Sequence, residues 1–299
     1  MMTRQNPLKY RLSQLLGFLL GARIFLLVFY TFALYVSTFF VFSSDESLRE
    51  TVFSVKVHGL IWCCILSIAA GGIINQFYDA EKDRLQKPFR FYLQSFLKQK
   101  YFLYSYILLC ALSLFIAVLL SPRIFIFILA YQFFIWLYSH KLSKILIINN
   151  LSYVIISLYP FFGMLIYFEH FSKTLFVMAD YLFCVVLLID VLKDILTIKP
   201  DHLFGYKTLA TEFGIKSAKI VGAVLLLVCA AVSALTAFAL WETGLLSWYY
   251  IFSVLVFLGC FFILKSAKLS QIAWLRNVLR LWILVGVFFM LMNGLVERF

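Results

Sequence analysis

Charged side chains are scarce in this sequence of 299 residues. They make up 13% of the chain, about half of the roughly 25% that is usual in a soluble domain, while 64% of the residues are hydrophobic. This imbalance excludes an ordinary soluble protein, and the apolar runs recur along the whole length. The sequence therefore predicts one polytopic membrane domain over residues 16–299, preceded by a short cytoplasmic N-terminal segment, residues 1–15.

Two other features are missing, and each absence excludes a class of protein. The six cysteines lie within apolar runs, without metal-ligand spacing and without pairing in loops, so neither a thiolate metal centre nor a disulfide framework is expected. The net charge of +12 is spread over short loops, and no basic domain forms. A nucleic-acid partner is therefore not expected.

What the sequence has instead is a series of apolar runs long enough to cross a bilayer. A helix needs about 20 residues to span roughly 30 Å of hydrocarbon. Runs of this kind predict an all-α integral membrane protein with nine transmembrane helices, near residues 22–42, 55–78, 101–120, 123–138, 146–168, 174–195, 218–240, 246–264 and 278–296.

The basic residues are divided unequally between the two sides that nine spans define. If the N-terminus lies inside, the inner segments contain 20 lysines and arginines and the outer segments contain 5. Cytoplasmic loops carry such an excess. We therefore expect a cytoplasmic N-terminus and a multi-pass protein of a bacterial inner membrane, with the lipid bilayer as its surroundings.

The second span ends in acidic residues, in the stretch "INQFYDAEKDRLQKP". Asn75, Asp79 and Asp83 are spaced four apart, so on a continuing helix they would share one face. Acids at the mouth of a membrane helix are candidates for function.

A second acidic cluster begins at the end of the sixth span, in "IDVLKDILTIKPDHLFGYKTLATEFG". Asp190 and Asp194 are again four apart, and Asp201 follows them. Magnesium prefers oxygen ligands and commonly takes one or two carboxylates together with substrate phosphates, and lysines can neutralise the remaining charge. The two clusters thus favour a diphosphate bridged by magnesium, with lysines nearby at positions 87, 144, 193, 199 and 207.

In their order and spacing, these motifs resemble those of the UbiA superfamily of intramembrane prenyltransferases. "NQFYDAEKDRLQKP" is similar to the family's first aspartate-rich motif and "KDILTIKPDHLFGYKTL" to its second, with "YSHKLSK" similar to the basic segment between them. The resemblance covers residues 15–296 approximately. It implies nine helices in one bundle around a central cavity, and magnesium-dependent transfer of a prenyl group from a prenyl diphosphate to a hydrophobic or amphiphilic acceptor.

The resemblance also implies roles for individual residues. Magnesium on the diphosphate would be coordinated by Asn75, Asp79 and Asp83, and from the other side by Asp201. The remaining positions carried over are the basic residues Lys87 and Lys144 near the phosphates, and Gly205 and Thr208 in the loop over the site.

The second motif departs from the family pattern. Thr197 stands where the resemblance leads us to expect an aspartate, and Pro200 replaces the usual glycine. We hypothesise that Asp194, about one helical turn before Thr197, compensates for the missing carboxylate.

The acceptor stays open at this point, since the wording of the second motif resembles branches that use aromatic (homogentisate) or glycerol-phosphate (geranylgeranylglycerol-phosphate) acceptors. One alternative is a non-catalytic isoprenoid or quinone binder of the same fold, which the Thr197 departure would fit. A CDP-alcohol phosphotransferase is disfavoured, because no Gly or Ala-Arg follows Asp79 and Asp83 in the pattern that class requires.

Overall fold

A computed structural model of the protein describes residues 7–43, 47–169, 171–241 and 244–298. These residues form α-helices and no β-strand. Residues 1–6 of the expected N-terminal segment lie outside them. A π-helical turn covers Thr38–Phe42, a 3-10 turn covers Leu142–Lys144, and the α-helices are α1 (Pro7–Gly21), α2 (Ile24–Ser37), α3 (Leu48–Phe53), α4 (Val55–Tyr78), α5 (Ala80–Gln86), α6 (Pro88–Gln94), α7 (Gln99–Leu120), α8 (Pro122–His140), α9 (Ile148–Phe168), α10 (Lys173–Leu196), α11 (Ile198–Leu203), α12 (Leu209–Ala239), α13 (Leu245–Ser266) and α14 (Leu269–Arg298).

Nine helical segments within the described residues are long and apolar enough to cross a membrane. They match the nine predicted spans in order, and the prediction of an all-α membrane protein is confirmed. The largest differences are at two N-terminal ends, where α12 begins at Leu209 and α14 at Leu269, about nine residues before the predicted spans. Both extensions are helical but more polar, so hydropathy alone did not include them.

The chain divides into two compact units, which we describe separately. The first contains the described residues up to Phe32 and Ser54–Leu142. In it α4 packs against α7 and α8, and α1 packs against α6. Ser67 and Ser113 hydroxyls lie 3.0 Å apart between α4 and α7, and Gln132 of α8 donates to Ser67 at 3.2 Å. These bonds satisfy polar groups inside an apolar helix cluster.

The second unit contains Ala33–Phe53 and the described residues from Ser143 onward. Its centre is α10, which packs against α9, α12 and α14. A buried polar network joins α10 to α13 and α14: the hydroxyls of Tyr181 and Tyr249 lie 2.8 Å apart, and Trp282 Nε1 donates to Ser253 Oγ at 2.8 Å. The N-terminal half of α10 is thereby held against α13 and α14.

The expectation that Asn75, Asp79 and Asp83 lie on one continuing helix is wrong at Asp79. Helix α4 ends at Tyr78, Asp79 caps it with φ −96° and ψ 11°, and α5 begins at Ala80. Backbone bonds from Asp79 N to Asn75 O (2.9 Å) and from Asp83 N to Asp79 O (2.8 Å) still continue across the junction. The four-residue spacing is therefore kept while the axis is interrupted.

Candidate functional site

The first acidic motif lies at the junction of α4 with α5. Asn75 donates from Nδ2 to Asp79 Oδ2 at 2.8 Å, so these two side chains meet as the spacing predicts. The amide uses its nitrogen in this bond and keeps its oxygen for another partner. Asp79 is partly exposed, as a group at the mouth of a membrane helix can be.

Asp83, the third residue of that motif, is buried, with 6% of its surface exposed. Its Oδ1 accepts a hydrogen bond from Lys87 Nζ at 2.8 Å. Burial lowers the pKa of Lys87, the charge of Asp83 opposes that shift, and repulsion from Arg23 and Arg90 adds to it. The carboxylate is therefore charge-compensated by a lysine that the sequence already assigned to the site.

The second acidic motif begins within the last turns of α10. Asp190 and Asp194 are each 1% exposed, and Asn150 of α9 donates from Nδ2 to both, at 2.8 and 2.9 Å. Lys193 pairs with Asp190 and lies 3.6 Å from Asp194 Oδ1, and its ammonium stands 5.3 Å from the Tyr153 ring centroid. Two buried carboxylates side by side are stable only with such partners.

Asp201 follows on α11 and is also buried, at 1% exposure. Thr197, the residue in place of the expected aspartate, caps both α10 and α11 and donates from its hydroxyl to Asp201 Oδ2. The backbone N–H of Tyr206 donates to Asp201 O at 2.8 Å. Thr197 is therefore an orienting hydrogen-bond partner of Asp201.

The loop after α11 contains the other residues carried over from the family. Gly205 has φ +70°, a left-handed conformation that glycine adopts without steric cost. Thr208 caps α12 by accepting from Thr211 N at 3.2 Å, and Thr211 Oγ1 accepts from Thr208 N at 2.8 Å. Lys144 lies with Nζ 5.4 Å from the Tyr206 ring centroid. These contacts fix the loop shape and connect the basic segment to it.

Within the described residues, no three His, Cys, Asp or Glu side chains are grouped closely enough to hold a metal by themselves. The donor set nevertheless fits magnesium bound together with substrate phosphates. Asn150 Oδ1 and Asp194 Oδ1 are buried oxygens without a hydrogen-bond partner in the described structure. Such atoms are costly to leave unsatisfied, and a cation or its coordinated water would satisfy them.

Asn150 was missed by the sequence reasoning, and the signal was present. It stands beside Asn149 in the run "IINN" at the start of an apolar span, and polar residues inside membrane segments are functional candidates by default. Both asparagines are buried. Only the fold reveals that Asn150 bridges to two acids located 40 and 44 residues later.

Over more than half of its length, the chain is similar in sequence to digeranylgeranylglyceryl phosphate synthases. Digeranylgeranylglyceryl phosphate synthase from Pyrococcus furiosus is 26% identical over 181 residues, which cover 58% of this chain and 63% of that relative. The synthase of the same name from Sulfurisphaera tokodaii is 28% identical over 200 residues, covering 66% and 68% of the two chains. The chain thus spans about three fifths to two thirds of the length of these relatives.

The fold also matches a solved structure. A UbiA homolog from Archaeoglobus fulgidus, bound to GPP and Mg2+, superposes with a TM-score of 0.66 at 15% identity, covering 94% of this chain and 99% of that one. The UbiA prenyltransferase family model matches residues 47–293, which include both acidic motifs and the basic segment between them. The chain therefore belongs to the UbiA prenyltransferase family.

Proposed function

We propose that this protein transfers a prenyl group from a prenyl diphosphate to an aromatic or glycerol-phosphate acceptor, in a magnesium-dependent reaction at the cytoplasmic side of a membrane. The observation that carries the proposal is the set of buried carboxylates at the ends of apolar helices. Asp83, Asp194 and Asp201 are each at most 6% exposed, and each is held by a neighbouring side-chain donor. Burying carboxylates in this way costs free energy, and their placement at the ends of apolar helices supports a binding role.

The residues proposed to bind the donor are those with oxygen atoms directed by defined partners. In the first unit they are Asn75, Asp79 and Asp83, and in the second Asp201, with Asp194 in place of the carboxylate that Thr197 lacks. Bound magnesium would neutralise the diphosphate as it leaves. Lys87 and Lys144 are proposed to contribute further positive charge to the phosphates.

The chain's own contribution to the chemistry is binding, orientation and exclusion of water. The allylic C–O bond breaks, its electron pair leaves with the diphosphate, and a nucleophilic atom of the acceptor bonds to the prenyl carbon and loses a proton. Gly205 and Thr208 shape the loop that follows Asp201 and hold it in one conformation.

The proposed choice between the two acceptor classes follows from the similar proteins. The named relatives are digeranylgeranylglyceryl phosphate synthases, which favours a glycerol-phosphate acceptor over an aromatic one. The bound GPP and Mg2+ of the Archaeoglobus fulgidus homolog support a prenyl diphosphate donor. The expected bacterial membrane and the cytoplasmic orientation stay predictions.

A second candidate is an isoprenoid or quinone binder of the same fold without catalysis. Thr197 favours it, because loss of one acidic ligand is how a metal site degenerates. The two candidates differ in one observable property: the enzyme binds a prenyl diphosphate more tightly with magnesium than with EDTA, whereas the binder shows no difference.

The experiment that tests the proposal is a transfer assay with purified protein in nanodiscs. Radiolabelled geranylgeranyl diphosphate is offered with pooled aromatic and glycerol-phosphate acceptors, with magnesium or EDTA. A labelled product that requires magnesium, and that the Asp79→Ala variant fails to form, supports the enzyme and identifies the acceptor class. If neither donor binding nor product formation depends on magnesium for donors of several chain lengths, the result would favour the non-catalytic binder.

A further inference from the structure

The second unit carries a surplus of positive charge where α12 begins, α13 ends and α14 begins. From residue 213 to residue 293 the sequence has six basic residues and one acid, Glu242, which comes after the C-terminal end of α12 in the chain. Because α13 packs against both α12 and α14 and the three follow one another, the basic residues lie at one end of this helix group. They are Lys216, Lys219, Lys265, Lys268, Arg276 and Arg280. An anionic partner would balance this charge.

Part of this charge serves the protein's own structure. Lys219 of α12 donates from Nζ to Ala267 O at 2.6 Å and so caps the C-terminal end of α13. Lys265 lies with Nζ 4.6 Å from the ring centroid of Phe261. These two lysines have partners within the chain, so the charge that a ligand could meet is concentrated on α14.

Arg276 and Arg280 form a pair of like charges on α14, called the arginine pair below. They are four residues apart on one face of the helix, and Arg276 lies within electrostatic range of Arg280. Like charges at this spacing destabilise a helix, and the one acid of α14, Glu297, lies at its other end. Arg276 Nε is also buried without a hydrogen-bond partner in the described structure, which costs free energy. An anion bound by the arginine pair would reduce both costs.

The acids of the neighbouring helix α10 already have a cation of their own. Tyr153 of α9 lies within electrostatic range of Arg276, and its ring centroid is 5.3 Å from Lys193 Nζ. Lys193 in turn pairs with Asp190 and Asp194. The arginine pair is therefore left for a ligand from outside the chain.

The arginine pair lies where α14 changes from polar to apolar. The hydropathy pattern places the start of the ninth span near residue 278, between the two arginines. Arg280 is exposed, and so are Trp274 (56%) and Leu281 (62%), which stand before and after it in the chain. Tryptophan is enriched at the interface between membrane and water, and arginine near the end of a span extends its charged head to that interface. The pair is thus at the level of lipid headgroups.

We propose that Arg276 and Arg280 bind the phosphate of an anionic phospholipid. The planar guanidinium group matches the geometry of phosphate oxygens, and exposed apolar side chains beside it suit the attached acyl chains. A zwitterionic lipid brings an ammonium group, which the surrounding lysines repel, whereas phosphatidylglycerol brings none. This lipid site goes beyond the proposed transfer reaction and does not rest on it.

The test titrates short-chain phosphatidylglycerol into the full-length protein in a neutral detergent and follows the melting temperature, which a bound ligand raises. Phosphatidylcholine of the same chain length and inorganic phosphate are the comparison probes. We expect phosphatidylglycerol to act at concentrations at least about tenfold lower than phosphatidylcholine does. Arg276→Gln and Arg280→Gln should each weaken its binding about tenfold or more. Arg123→Gln, which changes an exposed arginine in the first turn of α8, should leave it unchanged.

Without added lipid, both arginine variants should melt at the wild-type temperature or slightly above, because the repulsion within the pair is removed. A lower melting temperature without lipid would mean that the arginines serve the fold instead. Equal effects of the two lipids would overturn the selection of an anionic headgroup, and an equal effect of inorganic phosphate would overturn the lipid as ligand. If Arg276→Gln and Arg280→Gln respond to phosphatidylglycerol as Arg123→Gln does, the pair is not the site. No prenyl diphosphate enters this assay, so its result is independent of the proposed function.

Discussion

Thr197 illustrates what a single residue can do at the second acidic motif. The family pattern leads us to expect a carboxylate there, but a threonine hydroxyl lies within hydrogen-bonding distance of Asp201 Oδ2 and of Lys193 O (3.1 Å), and its single proton can be donated to either oxygen. The carboxylate that the family pattern leads us to expect is thus replaced by a hydrogen-bond donor that orients Asp201, which we propose as a magnesium ligand. Mutation of hydrogen-bond partners of metal ligands typically costs about 10-fold to 100-fold in metal affinity.

Replacing Thr197 by valine keeps its shape and removes the hydroxyl. We expect Thr197→Val to raise the magnesium concentration that half-maximal binding of prenyl diphosphate requires, by about 10-fold to 100-fold. Thr197→Ser retains the hydroxyl and should stay near wild type. A titration of magnesium at fixed donor concentration measures the effect, and equal behaviour of the two variants would contradict the orienting role.

Asn150 is the second residue whose proposed role depends on a hydrogen bond. Its amide serves two buried carboxylates, and a bond to a charged group is worth about 1.5–3 kcal/mol. We expect Asn150→Ala to reduce the free energy of unfolding by about 2–4 kcal/mol, visible as a drop of several degrees in the melting temperature.

Asn149→Ala is the matched control, since Asn149 is also buried but its Oδ1 has no hydrogen-bond partner in the described structure. Asn149→Ala should lower the free energy of unfolding clearly less than Asn150→Ala does. A melting curve in which the two variants fall equally would mean that the bridge to Asp190 and Asp194 contributes nothing beyond packing.

At the scale of elements, the packing of α1 on α6 depends on a close approach at Gly17. A Cβ at this position would lie 2.4 Å from Leu93 O and 3.2 Å from Gln94 Cα. Both atoms belong to backbone, which is unable to yield as a flexible side chain can. The two helices therefore meet at a distance that only glycine permits.

We expect Gly17→Ala to separate α1 from α6 and to lower the melting temperature. Gly259→Ala is the control: nothing lies within 4 Å of a Cβ there, and alanine is favoured over glycine within a helix by up to about 1 kcal/mol. The control should melt at the wild-type temperature or slightly above. An unchanged melting temperature for Gly17→Ala would contradict the close approach.

The sequence was sufficient to predict the membrane-spanning helices, but it was insufficient to predict the contacts between them. Nine apolar runs of adequate length determine nine spans, and the residue spacing placed Asp190 and Asp194 on one face. The break at Asp79 was not predicted, because a cap without Gly or Pro leaves no local signal. Neither was the bridge from Asn150, since hydrogen bonds across 40 residues depend on how α9 packs against α10.

At the scale of the whole molecule, the asymmetry of basic residues predicts which loops face the cytoplasm. The loop before α7 and the break between α7 and α8 should lie on opposite sides. Lys98 lies immediately before α7 and Arg123 lies in the first turn of α8, next to that break, and both are exposed. The six native cysteines are buried or half-buried. A thiol reagent in water should therefore label an introduced exposed cysteine more readily than the native ones.

We expect Lys98→Cys to react with a membrane-impermeant thiol reagent only after the cytoplasmic side is opened, and Arg123→Cys to react in intact cells. The reversed pattern would contradict the predicted orientation, and labelling of both in intact cells would contradict the number of spans between them. Wild type, which contains only the native cysteines, supplies the background.

We propose that the acidic motifs serve magnesium-dependent prenyl transfer. The most direct measurement counts prenylated product and released diphosphate from a doubly labelled prenyl diphosphate, for wild type and for Asp79→Asn, which keeps the size of the side chain. We expect one released diphosphate per prenylated product in wild type with magnesium, and a rate at least about a hundredfold lower in the variant. Equal rates in the two proteins, or product formed at full rate in EDTA, would contradict it.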